Sequence, residues 1–138
     1  MAHWATDFLG KSWEAGARGP ETFDCFGLLS EVYRIYFCEI LPVYPFNPQD
    51  VVGISRTILT ESRGNDWTAV NKPQEFDAVG MGKKNSIHHV GIWTNADGGK
   101  IVHASDGKSV MIQSIAELTR LGFGRIEFYR HASCNRSN

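Results

Sequence analysis

The amino-acid sequence predicts an α+β domain in which N-terminal helices pack on a small antiparallel sheet. Two observations carry this. In the first half, apolar residues recur at helical spacing, most clearly from Asp24 to about Phe37. There Leu28, Leu29, Val32, Ile35 and Tyr36 share a stripe while Ser30, Glu31 and Arg34 lie opposite. In the second half, short β-branched runs alternate with glycine-rich turns. A chain of 138 residues suits one domain that builds its core without staples, here residues 1–131, with 132–138 a loose polar tail.

Residues 2–10 read as a short helix, and Lys11 to Phe23, with Gly16, Gly19 and Pro20, as a loop. Asp24 is a good N-cap, which makes Cys25 the first helical residue. The helix should end near Phe37 to Ile40, before the extended, proline-punctuated Leu41-Pro42-Val43-Tyr44-Pro45. A second, weakly amphipathic helix spans Asp50 to Ser62, with Asp50 as cap and Gly64 beyond its end. Strands follow at Phe76 to Met81, Ile87 to Thr94, Ile101 to Ser105 and Ser109 to Ile112. Asp97-Gly98-Gly99 and Asp106-Gly107 turn two successive hairpins. Ser114 to Glu117 is a capping box opening a short helix that closes at Gly122, and Arg125 to Tyr129 is a last strand.

Composition excludes several classes. The formal net charge of -1 leaves no electrostatic footprint for nucleic acid or an anionic membrane, and Lys83-Lys84 belongs to a solvated loop. The apolar region from Phe26 to Phe46 is broken by Glu31, Arg34, Glu39, Pro42 and Pro45, so it does not read as a membrane-spanning helix. The first ten residues lack the basic and apolar regions of a secretion signal, which leads to an expectation of synthesis in a cytoplasm. Cysteines at 25, 38 and 134 cannot all pair, and no Cys-x-x-Cys occurs. Neither a disulfide framework nor a structural zinc site is indicated, and no cofactor is called for.

Cys25 is the informative cysteine. At a helix N-terminus a thiol feels the positive end of the dipole, which favours the nucleophilic thiolate and predicts reactivity below the ~8.5 of a free cysteine. Its place on the apolar stripe also allows a plain role as a small buried hydrophobe. A nucleophilic thiol needs a base and a group that orients the base. His88-His89-Val90-Gly91-Ile92-Trp93 and Ile101-Val102-His103-Ala104 place histidines on consecutive strands of one hairpin. Strand alternation separates His88 from His89, and Gly91 leaves open space beside His89. His89 and His103 share a face only if the loop between their strands has an odd number of residues or a bulge intervenes. The thiol should then lie within about 4 Å of a His89 nitrogen. Cys25, His89 and His103 could instead be three ligands of a catalytic zinc. His3 and His131 read as solvated.

These residues carry a resemblance. Phe23-Asp24-Cys25-x-Gly27-Leu28, His89-Val90-Gly91-Ile92-Trp93 and Ile101-Val102-His103-Ala104 resemble, in this order, the motifs of the NlpC family of papain-like cell-wall cysteine peptidases. Gly16, Pro20 and Phe76-Asp77-Ala78-Val79 agree with it. The stretch from Trp13-Glu14-Ala15-Gly16 to Leu41-Pro42-Val43-Tyr44 is similar to a subgroup found as phage tail-assembly proteins. The resemblance implies a papain-like fold and hydrolysis of an amide in the peptide stem of peptidoglycan, with Cys25 as nucleophile, His89 as base and His103 orienting it. Trp13, Asp24 and Phe26 would line the oxyanion site and substrate groove. Trp13 stands where the family commonly has tyrosine, and Phe26 where it has serine. Without a secretion signal or a wall-binding module, the expected setting is a phage or phage-like tail tip among tail-tip proteins. The rival readings are a structural tail component with vestigial catalysis, or another thiol acyl-transfer on the same scaffold.

Overall fold

In the computed structural model, which describes residues 3–43, 51–84 and 86–137, the first helical residues form a single 3₁₀ turn, Trp4–Asp7. The stretch expected to be a loop contains two short strands, β1 (Ser12–Trp13) and β2 (Thr22–Phe23), paired in parallel. β1 also lies along Lys108–Val110, through Trp13 N–H to Lys108 C=O (3.1 Å) and Val110 N–H to Lys11 C=O (2.7 Å). Such isolated two-residue pairings leave no periodic trace in a sequence.

Helix α1 spans Cys25–Phe37. Asp24 caps it: Oδ1 accepts from Gly27 N–H at 2.7 Å and Oδ2 from Gly16 N–H at 2.8 Å. One carboxylate thus satisfies an orphan donor of the first turn and pins the preceding loop to it. Gly27 is required by that docking, since a Cβ there would lie 2.0 Å from the Ala17 carbonyl oxygen. The helix ends where Cys38 turns left-handed (φ 52°) and its N–H returns to Tyr33 C=O. Helix α2 spans Val51–Ser62; its expected cap Asp50, and Tyr44-Pro45 of the extended segment, lie outside the described residues.

Six antiparallel strands form the main sheet in the order β3-β8-β4-β5-β6-β7. They are β3 (Trp67–Val70), β4 (Ala78–Lys83), β5 (Ser86–Thr94), β6 (Lys100–Ala104), β7 (Val110–Gln113) and β8 (Arg125–His131). β3 was not expected; among the described residues its four residues pair only with the last strand, Trp67 opposite His131. Helix α3 (Ile115–Arg120) opens with the predicted reciprocal capping box of Ser114 and Glu117.

Alternation sends Val90, Ile92, Val102, Ala104 and Val110 into a core shared with α1 and α2, while Val79, Met81, Trp93 and Ile101 pack on Leu118 of α3. Buried Asp77 receives Arg130 in a two-pronged pair (Nε to Oδ1 3.0 Å, Nη2 to Oδ2 2.8 Å), fastening β8 to the start of β4. The tail is less loose than expected. Ala132–Ser137 forms a 3₁₀ turn, Ser133 is buried with its hydroxyl 2.8 Å from His131 Nδ1, and Cys134 packs on the core. His131, expected to be solvated, is therefore buried. His3 is half-buried, its Nε2 2.8 Å from Thr94 Oγ1.

Gly27→Ala should lower unfolding free energy by about 1–3 kcal/mol, because helix or loop must move to admit the methyl. Gly124→Ala, with open space around it, should be close to neutral. Urea denaturation of both variants checks this; equal stability would show that the loop does not depend on the close approach.

Candidate active site

The loop between β5 and β6 decides where the histidines go. Ile92 pairs with Val102, Trp93 with Ile101 and Thr94 with Lys100, so Asn95 to Gly99 forms a five-residue connection. Asp97 (φ 52°) and Gly98 (φ 83°) supply the left-handed turn. The number is odd, as a shared histidine face requires. His89 and His103 meet with Nε2 and Nδ1 2.9 Å apart and rings nearly perpendicular.

Three further groups complete the arrangement. His103 Nε2 lies 2.7 Å from Gln113 Oε1 on β7, and Ser105 Oγ lies 3.1 Å from His103 Nδ1. The His89 ring stacks on Phe123, centroids 5.7 Å apart and planes 23° apart. Sequence reading missed Gln113, Ser105 and Phe123. Gln113 could have been found once the β6–β7 register was known, because His103 pairs with Met111 and Gln113 is the diagonal neighbour on the same face.

His88 does not point away from His89. Met81 pairs with His89 and Gly82 with Ile87, so His88 is the extra residue of a β-bulge. A bulge breaks alternation, and His88 also lies against Phe123, centroids 6.0 Å apart. Its Nδ1 is buried without a hydrogen-bond partner. Gly91 likewise departs from expectation. The space beside it is filled, since a Cβ would meet Ile101 Cγ2 at 2.8 Å and the Val102 carbonyl oxygen at 2.9 Å. Glycine there permits β6 to approach.

A cleft of about 320 Å³ opens over this pair, lined among others by Trp13, His88, His89, His103, Gln113 and Phe123. That is the scale of a small-molecule or peptide site, with polar groups converging between aromatic walls. Trp13 is where a groove residue was expected. Phe26 is not: it is 4% exposed and lines a separate apolar pocket with Leu29, Ile58, Trp67 and Tyr129. As the second residue of α1 it is turned by the helix toward α2 and the sheet. Asp24, 3% exposed, serves as the cap of α1 rather than as a groove wall.

Cys25 is 1% exposed and is not among the residues lining the cleft. Backbone N–H groups of Val90, Phe26 and Cys25 itself face its sulfur and favour thiolate. Val90 directly follows His89, so thiol and imidazole approach the same point of β5. No Cys25–His89 hydrogen bond occurs among those of the described residues, whereas the expected geometry had the sulfur within reach of the ring. Burial, and then the charge of Asp24, push the thiol up to about 12 from its ordinary 9.0. That rise corresponds to about 4 kcal/mol against the thiolate, more than the ~0.3–2 kcal/mol a helix N-terminus returns. Burial also holds His89 well below 6.5, assisted by His103 and His88, and lowers His103. Burial thus acts against charge on the thiol and on both imidazoles, in opposition to the helix dipole.

Among the described residues, no group of three His, Cys, Asp or Glu side chains is disposed to hold a metal ion, Cys25, His89 and His103 included. No helix among them is long and apolar enough to cross a membrane.

Residues 10–119 match the NlpC/P60 family. The chain is 32% identical over 126 residues to the Listeria grayi protein named Probable endopeptidase p60, a match covering 88% of this chain and 21% of that protein. It thus spans about a fifth of the length of that curated relative. The crystal structure of the NlpC/p60 domain of the peptidoglycan hydrolase SagA shares the fold. Its TM-score is 0.60, at 22% identity, over 90% of this chain and 91% of that one.

If Cys25 rests as a buried neutral thiol, iodoacetamide at neutral pH should modify exposed Cys38 before Cys25. Labelling of Cys25 should rise only at strongly alkaline pH. Peptide mapping by mass spectrometry reads the order, and rapid labelling of Cys25 below pH ~8.5 would restore the ion-pair account.

Proposed function

This chain belongs to the NlpC/P60 family, and we propose that it is a cysteine endopeptidase hydrolysing an amide in the peptide stem of peptidoglycan. The observation that carries the reading is the His89–His103 contact of 2.9 Å beside a cysteine that opens a capped helix. These are the residues that the family resemblance puts in the roles of base, orienting group and nucleophile.

With both partners neutral at rest, the mechanism is general-base catalysis. His89 takes the Cys25 proton as the sulfur attacks the substrate carbonyl, so that the thiolate need not be stored. The imidazolium is held by His103 and returns its proton to the leaving amine. Water then attacks the acyl carbon while His89 takes its proton; the carbon–sulfur bond breaks, the acid product leaves, and His89 returns the proton to the Cys25 sulfur. The Cys25 backbone N–H at the start of α1 is the natural donor to the oxyanion. Trp13, in the cleft wall, can donate its indole N–H but cannot accept a bond. Attack requires the thiol to become accessible to substrate.

The setting we propose is a phage or phage-like tail tip, with tail-tip proteins as neighbours. It rests on the likeness of the stretch from Trp13 to Val43-Tyr44 to tail-assembly proteins. The burial of Cys25 and the lack of a Cys25–His89 bond favour the second reading, a tail component of this fold with vestigial catalysis.

Digestion of purified peptidoglycan, with mass spectrometry of the fragments, separates the two. The wild-type chain should release stem-peptide fragments and Cys25→Ala none, while His89→Ala should lose roughly 10²–10⁴-fold in rate. Intact peptidoglycan after prolonged digestion with wild type, or undiminished activity of Cys25→Ala, would refute the peptidase reading.

A further inference from the structure

We propose that Gln113 is a positioning residue that fixes the proton on both histidines and so leaves the Nδ1 lone pair of His89 free for the thiol. The inference rests on the hydrolase reading and adds to it a group that acts through His103.

A chain of polar contacts runs along one face of the sheet. Gln113, His103 and His89 occupy neighbouring strands β7, β6 and β5, and the register brings their side chains to the same side. Gln113 Oε1, 2.7 Å from His103 Nε2, can only accept, so His103 Nε2 carries the hydrogen. A neutral imidazole has one N–H, and His103 Nδ1 is then an acceptor. Ser105 Oγ, 3.1 Å from that nitrogen, donates to it as well. His89 Nε2, 2.9 Å from His103 Nδ1, must therefore carry its own hydrogen. His89 Nδ1 is left bare. A base with the opposite tautomer would present an N–H to the thiol and could not take its proton.

During attack the thiol proton moves to His89 Nδ1. The imidazolium then holds both ring hydrogens, with its Nε2–H donating to His103. His103 gains and loses nothing. No proton travels to Gln113, whose part is to keep the chain polarised in one direction. A buried pair of neutral imidazoles has no charge of its own to select a tautomer, and an acceptor-only oxygen at the end of the chain makes the choice.

The test uses ¹⁵N-histidine-labelled protein, with long-range ¹H–¹⁵N correlation spectra at neutral pH for wild type, Gln113→Leu and Gln113→Glu. The wild type should show both His89 and His103 as Nε2–H tautomers. Gln113→Leu should admit the Nδ1–H form in both rings and lower kcat on a stem peptide by about tenfold or more with KM little changed, less than loss of the base itself. Gln113→Glu, which keeps an acceptor, should restore the Nε2–H tautomers and most of the rate. A wild-type His89 in the Nδ1–H form overturns the proposal even if Gln113→Leu fails to fold, as do tautomers that Gln113→Leu leaves unchanged. Correct tautomers in a wild-type protein that leaves peptidoglycan intact support the relay and refute the hydrolase reading.

Discussion

The pairing of β5 with β6 is the constraint on which the rest of this molecule depends. β5 is central: it bonds to β4 and β6, carries His89, and presents Val90 and Ile92 to the core under α1 and α2. A slip of one residue in its pairing would reverse every side chain of β6, burying Val102 on the wrong face and carrying His103 away from His89. The five-residue connection resists that slip through Asp97 and Gly98 at positive φ. Trp93 adds to it by lying so close to Gly99 that a Cβ there would meet the indole at 2.5 Å. The histidine pair is thus a consequence of hairpin register, and register is a consequence of turn chemistry.

Around that hairpin the protein sets two electrostatic influences on Cys25 against each other. The N-terminus of α1 and the surrounding N–H groups favour thiolate, while burial and the Asp24 carboxylate oppose it. Burial is the larger, and it acts on the histidines in the same sense, toward the uncharged form. Asp24 belongs to both sides: its carboxylate organises the helix start that places the sulfur, and its charge disfavours the sulfur's ionisation. Burial of this kind shields a thiol from alkylation and oxidation.

Much of this was legible in the sequence. The helix of Cys25, its cap, the α3 capping box and the hairpin strands each rest on local rules of spacing and end chemistry, and the structure places them within a few residues of expectation. The need for an odd loop followed from parity alone. What could not be read depends on partners remote in the chain. β3 has four residues and exists because β8 pairs with it. The β-bulge at His88 arises from a mismatch between β4 and β5, so alternation misassigned that side chain. Phe26 and Asp24 follow the helix geometry into the core, where a motif comparison put them in the groove. The burial of Cys25 was legible from its place on the apolar stripe, but the weight of that burial against the helix dipole depends on the packing of remote elements and was not.

The central claim is that Cys25 attacks a stem-peptide carbonyl with His89 as base, and the covalent intermediate tests it most directly. Wild-type protein mixed with a soluble peptidoglycan stem peptide and quenched in acid should carry an acyl group on the Cys25 peptide in the mass spectrum. That adduct should be absent from Cys25→Ala protein. Cleavage of the peptide with no acyl-enzyme at any time point, or an adduct confined to Cys38 or Cys134, would contradict the account.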